Sequence, residues 1–289
     1  MRPCSAIFVI LVCLSVLPPA HAKVNQANCT FTAFNPPSGS SFVAIGGIDD
    51  SGNVVGQLQD NKTGSIVGFT RSANGNYTTY QVPKSYVTML NHRIDSGVTV
   101  GSYEDKKLKM HGFVLTAGNA VSVNYPKAQQ TWLYGISDSG AVVGAFLSGI
   151  HSKGFELANG NYTVVAYPGG LNTELESIND SGVVVGYYQD TTLFHGIIWK
   201  KGNFQVVNYP VSKFGTVLTD VNNSGVIVGN QYSADFAFGF FFNNGVFAKV
   251  VYSGAKAASI GGINNNGVIS GQLFINATNQ PGYTAVCKY

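Results

Sequence analysis

The sequence predicts an all-β protein, a six-bladed β-propeller of four-stranded antiparallel blades whose last blade is closed by the N-terminal strand. The main observation is a nine-residue phrase, clearest from Ile178 to Gly186, that occurs six times. Its final glycine recurs at Gly56, Gly101, Gly144, Gly186, Gly229 and Gly271. A second glycine, followed by an aromatic or aliphatic residue, keeps the same period at Gly68, Gly112, Gly154, Gly196, Gly239 and Gly282. A period of 42 to 45 residues, set by the first glycine series, is typical of a propeller blade.

Each repeat contains four short segments of strand-forming residues. In the fourth copy these are 173–178, 183–189, 194–200 and 204–209, and Asn179-Asp180-Ser181-Gly182 forms the first turn. Such tight turns connect antiparallel neighbours, whereas a parallel solenoid needs long crossovers. The predicted repeats span 41–83, 87–126, 130–168, 172–210, 215–252 and 257–289. Their first strands are expected to end near Ile48, Ile94, Ile136, Ile178, Val221 and Ile263.

The two ends of the chain are complementary. The sixth repeat stops after three strands, and residues 29–36 are expected to complete it, since residues 30–36 resemble the fourth strand of another copy, Tyr162 to Pro168. We therefore expect the N-terminal strand to complete the last blade, which removes two exposed edges. Cys29 and Cys287 then face each other, and we expect a disulfide with Cα atoms about 4.4–6.8 Å apart. Two unpaired buried cysteines are the alternative.

The first 22 residues have the pattern of a signal peptide: Arg2, an apolar stretch from Ala6 to Leu17, and Ala20-His21-Ala22 before the cleavage point. The mature chain, 23–289, is expected to be one propeller domain that is secreted, extracellular or periplasmic, without membrane insertion after cleavage. The net charge is +3, and no basic stripe indicates a nucleic-acid partner.

The repeated phrase, with His111-Gly112-Phe113 or His195-Gly196-Ile197 after it, resembles the HAF family of extracellular repeat proteins in bacteria. The resemblance covers Cys29 to Tyr289. It implies a secreted or surface propeller and no established catalytic residue. The sequence departs from the pattern where Arg93-Ile94-Asp95-Ser96 replaces the usual turn, and four copies lack the histidine.

Neither a cofactor nor a metal site is predicted. The acidic turns, such as Asp49-Asp50-Ser51-Gly52, offer two or three oxygen ligands where calcium takes about six to eight, so we interpret them as turn residues. His111 and His195 are interpreted as structural or surface residues, because copies in different blades cannot converge on one metal.

The candidate site lies on the innermost strands. Two residues before the last residue of each first strand stand Gly46, His92, Tyr134, Glu176, Thr219 and Gly261. With their neighbours they predict a polar and aromatic pocket at one end of the axis, where the glycines of blades 1 and 6 leave room. The predicted ligand-binding residues are His92, Arg93, Trp132, Tyr134, Glu174, Glu176 and Asp220.

Three function classes follow. The first is a non-catalytic binding or interaction scaffold with an unknown extracellular ligand, a carbohydrate or a protein. The second is a structural repeat protein without a ligand. The third is a carbohydrate-active enzyme in which Glu174 and Glu176 act as acid and base. Residues two apart on a strand lie roughly 6.5–7 Å apart, which overlaps the carboxyl separation of inverting glycosidases.

Overall fold

A computed structural model describes residues 24–210 and 212–289, so the predicted signal peptide lies outside the described residues. Within these ranges the chain forms twenty-five strands and no helix, which confirms the all-β prediction. None of the described segments is a helix long and apolar enough to cross a bilayer.

The strands form six repeated units of four, with one additional strand. The first two strands are β1 (Val24–Gln26) and β2 (Asn28–Phe34). Units 1 and 2 contain β3 (Ser40–Ile48), β4 (Val54–Asp60), β5 (Ile66–Arg71), β6 (Tyr77–Tyr80), β7 (Val87–Arg93), β8 (Thr99–Glu104), β9 (Met110–Thr116) and β10 (Asn119–Ser122). Units 3 and 4 contain β11 (Thr131–Ile136), β12 (Val142–Ser148), β13 (His151–Ala158), β14 (Asn161–Val165), β15 (Asn172–Ile178), β16 (Val184–Gln189), β17 (Phe194–Lys200) and β18 (Asn203–Val207). Units 5 and 6 contain β19 (Thr216–Val221), β20 (Ile227–Tyr232), β21 (Ala237–Asn243), β22 (Val246–Lys249), β23 (Ala257–Ile263), β24 (Val268–Phe274) and β25 (Gly282–Lys288), and β2 completes unit 6.

In units 1, 4, 5 and 6 a side chain at the start of the turn after the first strand holds that turn. In unit 4 the Asn179 Oδ1 accepts hydrogen bonds from the backbone N–H groups of Ser181 and Val183, both at 3.0 Å. Gly182 follows with φ of 68°, a conformation that glycine adopts without steric cost. The Asn-Asp-Ser-Gly segment of unit 4 therefore forms a tight turn, as predicted.

The two glycine series of the repeat meet on adjacent strands. Gly56 of β4 pairs with Phe69 of β5, and Gly271 of β24 pairs with Tyr283 of β25. A Cβ atom at Gly56 or Gly271 would lie 2.7 Å from the ring of its partner, so the glycine leaves the space that the ring fills. These rings are fully buried, and the same pairing occurs in the other units, with Ile197 in place of the ring in unit 4. The period in the sequence thus records the packing of each unit's core.

The structure groups these six units into five sheets, whereas six separate four-stranded sheets were predicted. Units 1 and 2 share one eight-stranded sheet because Ile66 of β5 forms a single parallel bridge with Val87 of β7. The unit 5 sheet has a fifth strand, because β1 pairs in parallel with β22. Within each unit, the four strands pair in antiparallel order.

The N-terminal strand β2 pairs antiparallel with β25 over seven residues, from Asn28 opposite Lys288 to Phe34 opposite Gly282. Cys29 and Cys287 stand directly opposite and form a disulfide, which confirms the predicted bond. Their Cα atoms are 4.1 Å apart, slightly closer than expected. This spacing is near that of residues in a non-hydrogen-bonded antiparallel pair, about 4.5 Å.

The first strands contact one another in a cyclic order. β3 lies beside β7, β7 beside β11, β11 beside β15, β15 beside β19, β19 beside β23, and β23 beside β3. Asn264 of unit 6 donates its side-chain N–H to the Asp49 carbonyl of unit 1 at 2.9 Å. The neighbouring Asn265 backbone N–H donates to the Asp50 Oδ1 at 2.6 Å.

Candidate binding site between the first strands

A β-bulge interrupts every first strand near its C-terminal end. In unit 4 Leu175 pairs with Gly186 and Ser177 with Val185, which leaves Glu176 without a partner on β16. A bulge changes the direction in which its extra residue projects. The equivalent bulge residues are Gly46, Asn91, Tyr134, Glu176, Thr219 and Gly261. All six line one cavity of about 430 Å³, which we call the central cavity.

The predicted position in unit 2 is wrong by one residue. Asn91, and not His92, is the bulge residue, because Leu90 pairs with Gly101 and His92 with Val100. The first strand of unit 2 ends at Arg93, which is equivalent to Ile136 of unit 3. Ile94 is the first residue of the turn and is equivalent to Ser137 of unit 3. Ile94 was expected to end this strand because it resembles the terminal isoleucines of the other units, but it lies in the turn. Alignment on Gly97 and Gly101 gives the correct register.

Protein partners satisfy most polar groups of the central cavity. The Asn91 amide donates to the Leu133 carbonyl at 2.7 Å and accepts from the Gln57 side chain at 3.1 Å. The Thr219 hydroxyl donates to the Ile260 carbonyl at 3.3 Å. Glu176 differs, because its carboxyl group forms no hydrogen bond or ion pair with any residue that the structure describes.

Glu176 lies beside a second carboxyl group. Burial, and then the charge of Glu174, raises the pKa of Glu176 to about 8. Glu174 itself accepts a hydrogen bond from the Tyr134 hydroxyl at 3.2 Å and one from the Ser152 hydroxyl at 2.9 Å. Glu174 is thus fixed by its neighbours, whereas Glu176 faces the cavity and keeps its proton to a higher pH than an ordinary glutamate.

Tyrosines surround this pair of acids. Tyr134 and Tyr232 line the cavity, and Tyr187 lies next to Glu174. Burial, followed by the charges of Glu174 and Glu176, raises the pKa of Tyr134 and of Tyr187. Burial and the charge of Glu176 raise the pKa of Tyr232. All three phenols are therefore neutral, and each keeps a proton to donate.

His92 and Asp220 meet from different units. The His92 Nε2 lies 3.6 Å from the Asp220 Oδ1, and His92 lines the central cavity while Asp220 is 1% exposed. Burial disfavours the imidazolium, but the Asp220 carboxylate outweighs burial and holds the pKa of His92 above its usual value. The buried His92 Nδ1 has no hydrogen-bond partner among the described residues.

Four of the seven predicted site residues do not line the central cavity. Arg93 forms an ion pair with Asp49, with its Nε 2.9 Å from the Oδ2. Asp220 accepts hydrogen bonds from the Ser177 hydroxyl and from the backbone N–H of Ile263. Glu174 is held by Tyr134 and Ser152, and the partly buried Trp132 of β11 is absent from the lining. His92, Tyr134 and Glu176 are brought together, as the sequence analysis expected of them.

The glycines of units 1 and 6 have a different role from the one expected. A Cβ atom at Gly46 would lie 2.5 Å from the Asn91 carbonyl oxygen, and one at Gly261 would lie 2.0 Å from the Ile45 carbonyl oxygen. These glycines allow the backbones of neighbouring first strands to approach each other. The space that a side chain would need is filled by the neighbouring strand and is not part of the cavity. Several cavity residues were not predicted from the sequence, among them Asn91, Gln57 and Tyr232. Of these three, only Asn91 could have been found from the sequence, by aligning unit 2 on its glycines.

The turns that follow the first strands form a second polar ring, lined by Asp50, Asp95, Asp138, Asp180, Asn223 and Asn265. Its side chains accept hydrogen bonds from backbone N–H groups of neighbouring units. For example, the Asp138 N–H donates to the Asp180 Oδ1 at 2.8 Å. Burial and neighbouring carboxylates raise the pKa of Asp95 and of Asp138. Within residues 24–210 and 212–289 no group of three or more His, Cys, Asp or Glu side chains is arranged to hold a metal ion.

The two signature histidines contact acidic turns at the surface. His111 lies 3.1 Å from the Asp105 carboxylate, and His195 lies 2.9 Å from the Asp190 carboxylate. Each imidazole also stacks on a tyrosine, His111 on Tyr103 and His195 on Tyr188. This arrangement agrees with their interpretation as structural residues.

Solved structures with a similar fold are β-propeller proteins. One is a catalytically inactive variant of virginiamycin B lyase from Staphylococcus aureus with quinupristin, which is 10% identical, covers 90% of this chain and 99% of its own, and has a TM-score of 0.54. Another is AofleA from Arthrobotrys oligospora, which is 14% identical, covers 86% of this chain and 82% of its own, and has a TM-score of 0.54. No family model and no curated protein sequence matches this chain. At such low identity the similarity concerns the fold alone.

Proposed function

We propose that the mature chain is a secreted, non-catalytic β-propeller that binds a small ligand in the central cavity. The observation that carries the proposal is Glu176, an acid without a protein partner that a β-bulge directs into a cavity of about 430 Å³. A volume of this size falls in the range of small-molecule sites, about 300–1,000 Å³. The His92 Nδ1 beside the same cavity is buried and has no partner among the described residues, and because such groups are costly it also favours a ligand.

The same proposal includes a closed ring of six blades. The cyclic contacts of the first strands and the hydrogen bonds from Asn264 and Asn265 to unit 1 support closure. Two blades share a sheet only through the Ile66–Val87 bridge. The Cys29–Cys287 disulfide and the leader-like first 22 residues support export, because disulfides persist in oxidising compartments. The proposed relationship to the HAF family rests on the repeated phrase.

An enzyme that uses Glu174 and Glu176 as base and acid is the second candidate. The raised pKa of Glu176 favours it, because a protonated acid beside an ionised carboxylate is the arrangement glycosidases use. Against it, Tyr134 and Ser152 occupy both oxygens of Glu174. Glu174 also does not line the central cavity, so it is poorly placed to activate a water molecule there, and binding without catalysis is the better-supported function.

The test is a binding screen with the mature protein, residues 23–289. A glycan array and a panel of small polar metabolites are assayed against the wild type, Glu176→Gln and the matched control Glu156→Gln, which changes a partly buried glutamate of β13 outside the cavity. We expect a ligand whose affinity falls at least about tenfold in Glu176→Gln and is unchanged in Glu156→Gln. Equal binding by all three proteins, or no binder in either panel, would overturn the proposed site.

A further inference from the structure

The charge of the central cavity is unbalanced. Its lining contains one carboxyl group, on Glu176, and one imidazole, on His92, and it contains no Lys or Arg. His92 already faces the Asp220 carboxylate, so its charge is matched within the protein. Glu176 faces another acid, Glu174, and has no cationic partner among the described residues. A positive charge in the cavity would offset both carboxyl groups.

Two tyrosines line the central cavity together with Glu176. They are Tyr134 from β11 and Tyr232 from β20, and Tyr187 of β16 lies next to Glu174 outside the lining. Aromatic rings attract cations through the negative face of the π system, and this attraction grows when water is excluded. Ammonium groups are recognised by tyrosines combined with carboxylates in this way.

We propose that the central cavity binds a small organic cation, an amine or quaternary ammonium compound whose charge lies against Glu176 between the tyrosines. This inference rests on the proposed function and specifies its ligand class. The buried His92 Nδ1, which lacks a partner among the described residues, is a second polar group at the same cavity and marks where an uncharged polar end of the ligand is held.

The cavity predicts how binding depends on pH. A cation favours the ionised form of Glu176 and lowers the pKa of this carboxyl group in the complex, so binding releases a proton between that lowered pKa and the pKa of the free site, about 8. Over this interval affinity is expected to rise by up to about tenfold for each pH unit, and above it affinity becomes constant. The groups facing Glu176 are Glu174 on the same strand, the three tyrosines, and His92 with Asp220. The tyrosines stay neutral, and a loss of charge at His92 would favour a cation further.

The experiment uses choline and its uncharged carbon isostere, dimethylbutanol, in isothermal titration with residues 23–289 at pH 6, 7 and 9. Choline is expected to bind at least about tenfold more tightly than the isostere, more tightly at pH 7 than at pH 6, and with proton release seen as a dependence on buffer ionisation enthalpy. Glu176→Gln should remove the preference and the proton release, and Glu156→Gln should keep both.

The outcomes separate the two proposals. Equal binding of choline and dimethylbutanol, or loss of choline binding as the pH rises, would overturn the cationic ligand class. If a neutral glycan binds instead, and Glu176→Gln abolishes that binding, the central cavity is a site but the ligand class is wrong. If neither choline nor any compound of the earlier panels binds, both proposals fail.

Discussion

The pair Asp49 and Arg93 shows how one residue change in a repeat requires another. In units 5 and 6 the equivalent of Asp49 is asparagine, and Asn222 and Asn264 each donate a side-chain N–H to a carbonyl of the next unit. Asp49 has no amide to donate. Arg93 of the next unit replaces the usual isoleucine or valine and donates to the Asp49 carboxylate at 2.9 Å.

Arg93→Ile should therefore destabilise the protein. The substitution leaves the Asp49 carboxylate, which is 3% exposed as a residue, buried without its cation. Removing one partner of a buried ion pair costs roughly 3–5 kcal/mol, and we expect about 3 because Arg93 is partly exposed. Urea unfolding of the oxidised protein measures the change.

The double variant Asp49→Asn with Arg93→Ile restores the arrangement of units 5 and 6. It is expected to recover most of the lost stability, because asparagine can donate to the neighbouring carbonyl and isoleucine fits the position held by Ile136. A double variant as unstable as Arg93→Ile would mean that Arg93 acts through other contacts.

The same segment marks the limit of prediction from sequence at the residue scale. Tyr134 and Glu176 line the cavity at the positions expected of them, because their copies keep the common register. His92 was placed two residues before the end of its first strand because Ile94 resembles a terminal isoleucine. Asp220 was assigned to the pocket from its place on the strand, but polarity alone does not distinguish a ligand-facing carboxylate from one that Ser177 and Ile263 satisfy.

At the scale of elements, the first strands depend on close approach between neighbouring backbones. A Cβ atom at Gly261 would lie 2.0 Å from the Ile45 carbonyl oxygen of β3. Backbone atoms cannot yield as a flexible side chain does, so one methyl group would separate β23 from β3. The spacing of units 6 and 1 thus depends on this glycine.

Gly261→Ala is predicted to lower the free energy of unfolding by about 3 kcal/mol, the upper part of the usual cost of overpacking. Gly170→Ala is the matched control, since its nearest new contact is the Tyr188 ring at 3.2 Å, which can rotate, and its change should stay below about 1 kcal/mol. Equal losses in the two variants, measured by thermal unfolding, would refute the role of close approach.

Sequence patterns identified most elements because each unit repeats the same four strands. β1 was not predicted, since Val24–Gln26 has three residues and no counterpart in the other units. Its parallel pairing with β22 depends on where the chain runs between β2 and unit 5, and the following Ala27 is buried in the core shared by units 5 and 6. Such a contact follows from the assembled structure and not from a local pattern.

At the scale of the whole molecule, the chain ends are joined within one sheet. β2 forms the fourth strand of unit 6, while the chain that follows it begins unit 1. Units 6 and 1 also contact each other directly, where the Ser270 hydroxyl donates to the Gly46 carbonyl at 2.7 Å. Two devices therefore hold the ends, the pairing of β2 with β25 and the Cys29–Cys287 disulfide.

Removal of these devices should have different consequences. A protein of residues 37–289 loses the partner of β25, and the bare edge is expected to cause aggregation, because unpaired strand edges associate with other chains. The double variant Cys29→Ser with Cys287→Ser keeps the strand and loses only the cross-link over 258 residues. In the chain-entropy model such a loss is at most about 5 kcal/mol, so this variant should remain soluble and melt at a lower temperature.

Light scattering and thermal unfolding distinguish the two results. If the deletion leaves both solubility and melting temperature unchanged, β2 does not hold the molecule closed, and the proposed six-bladed ring is wrong.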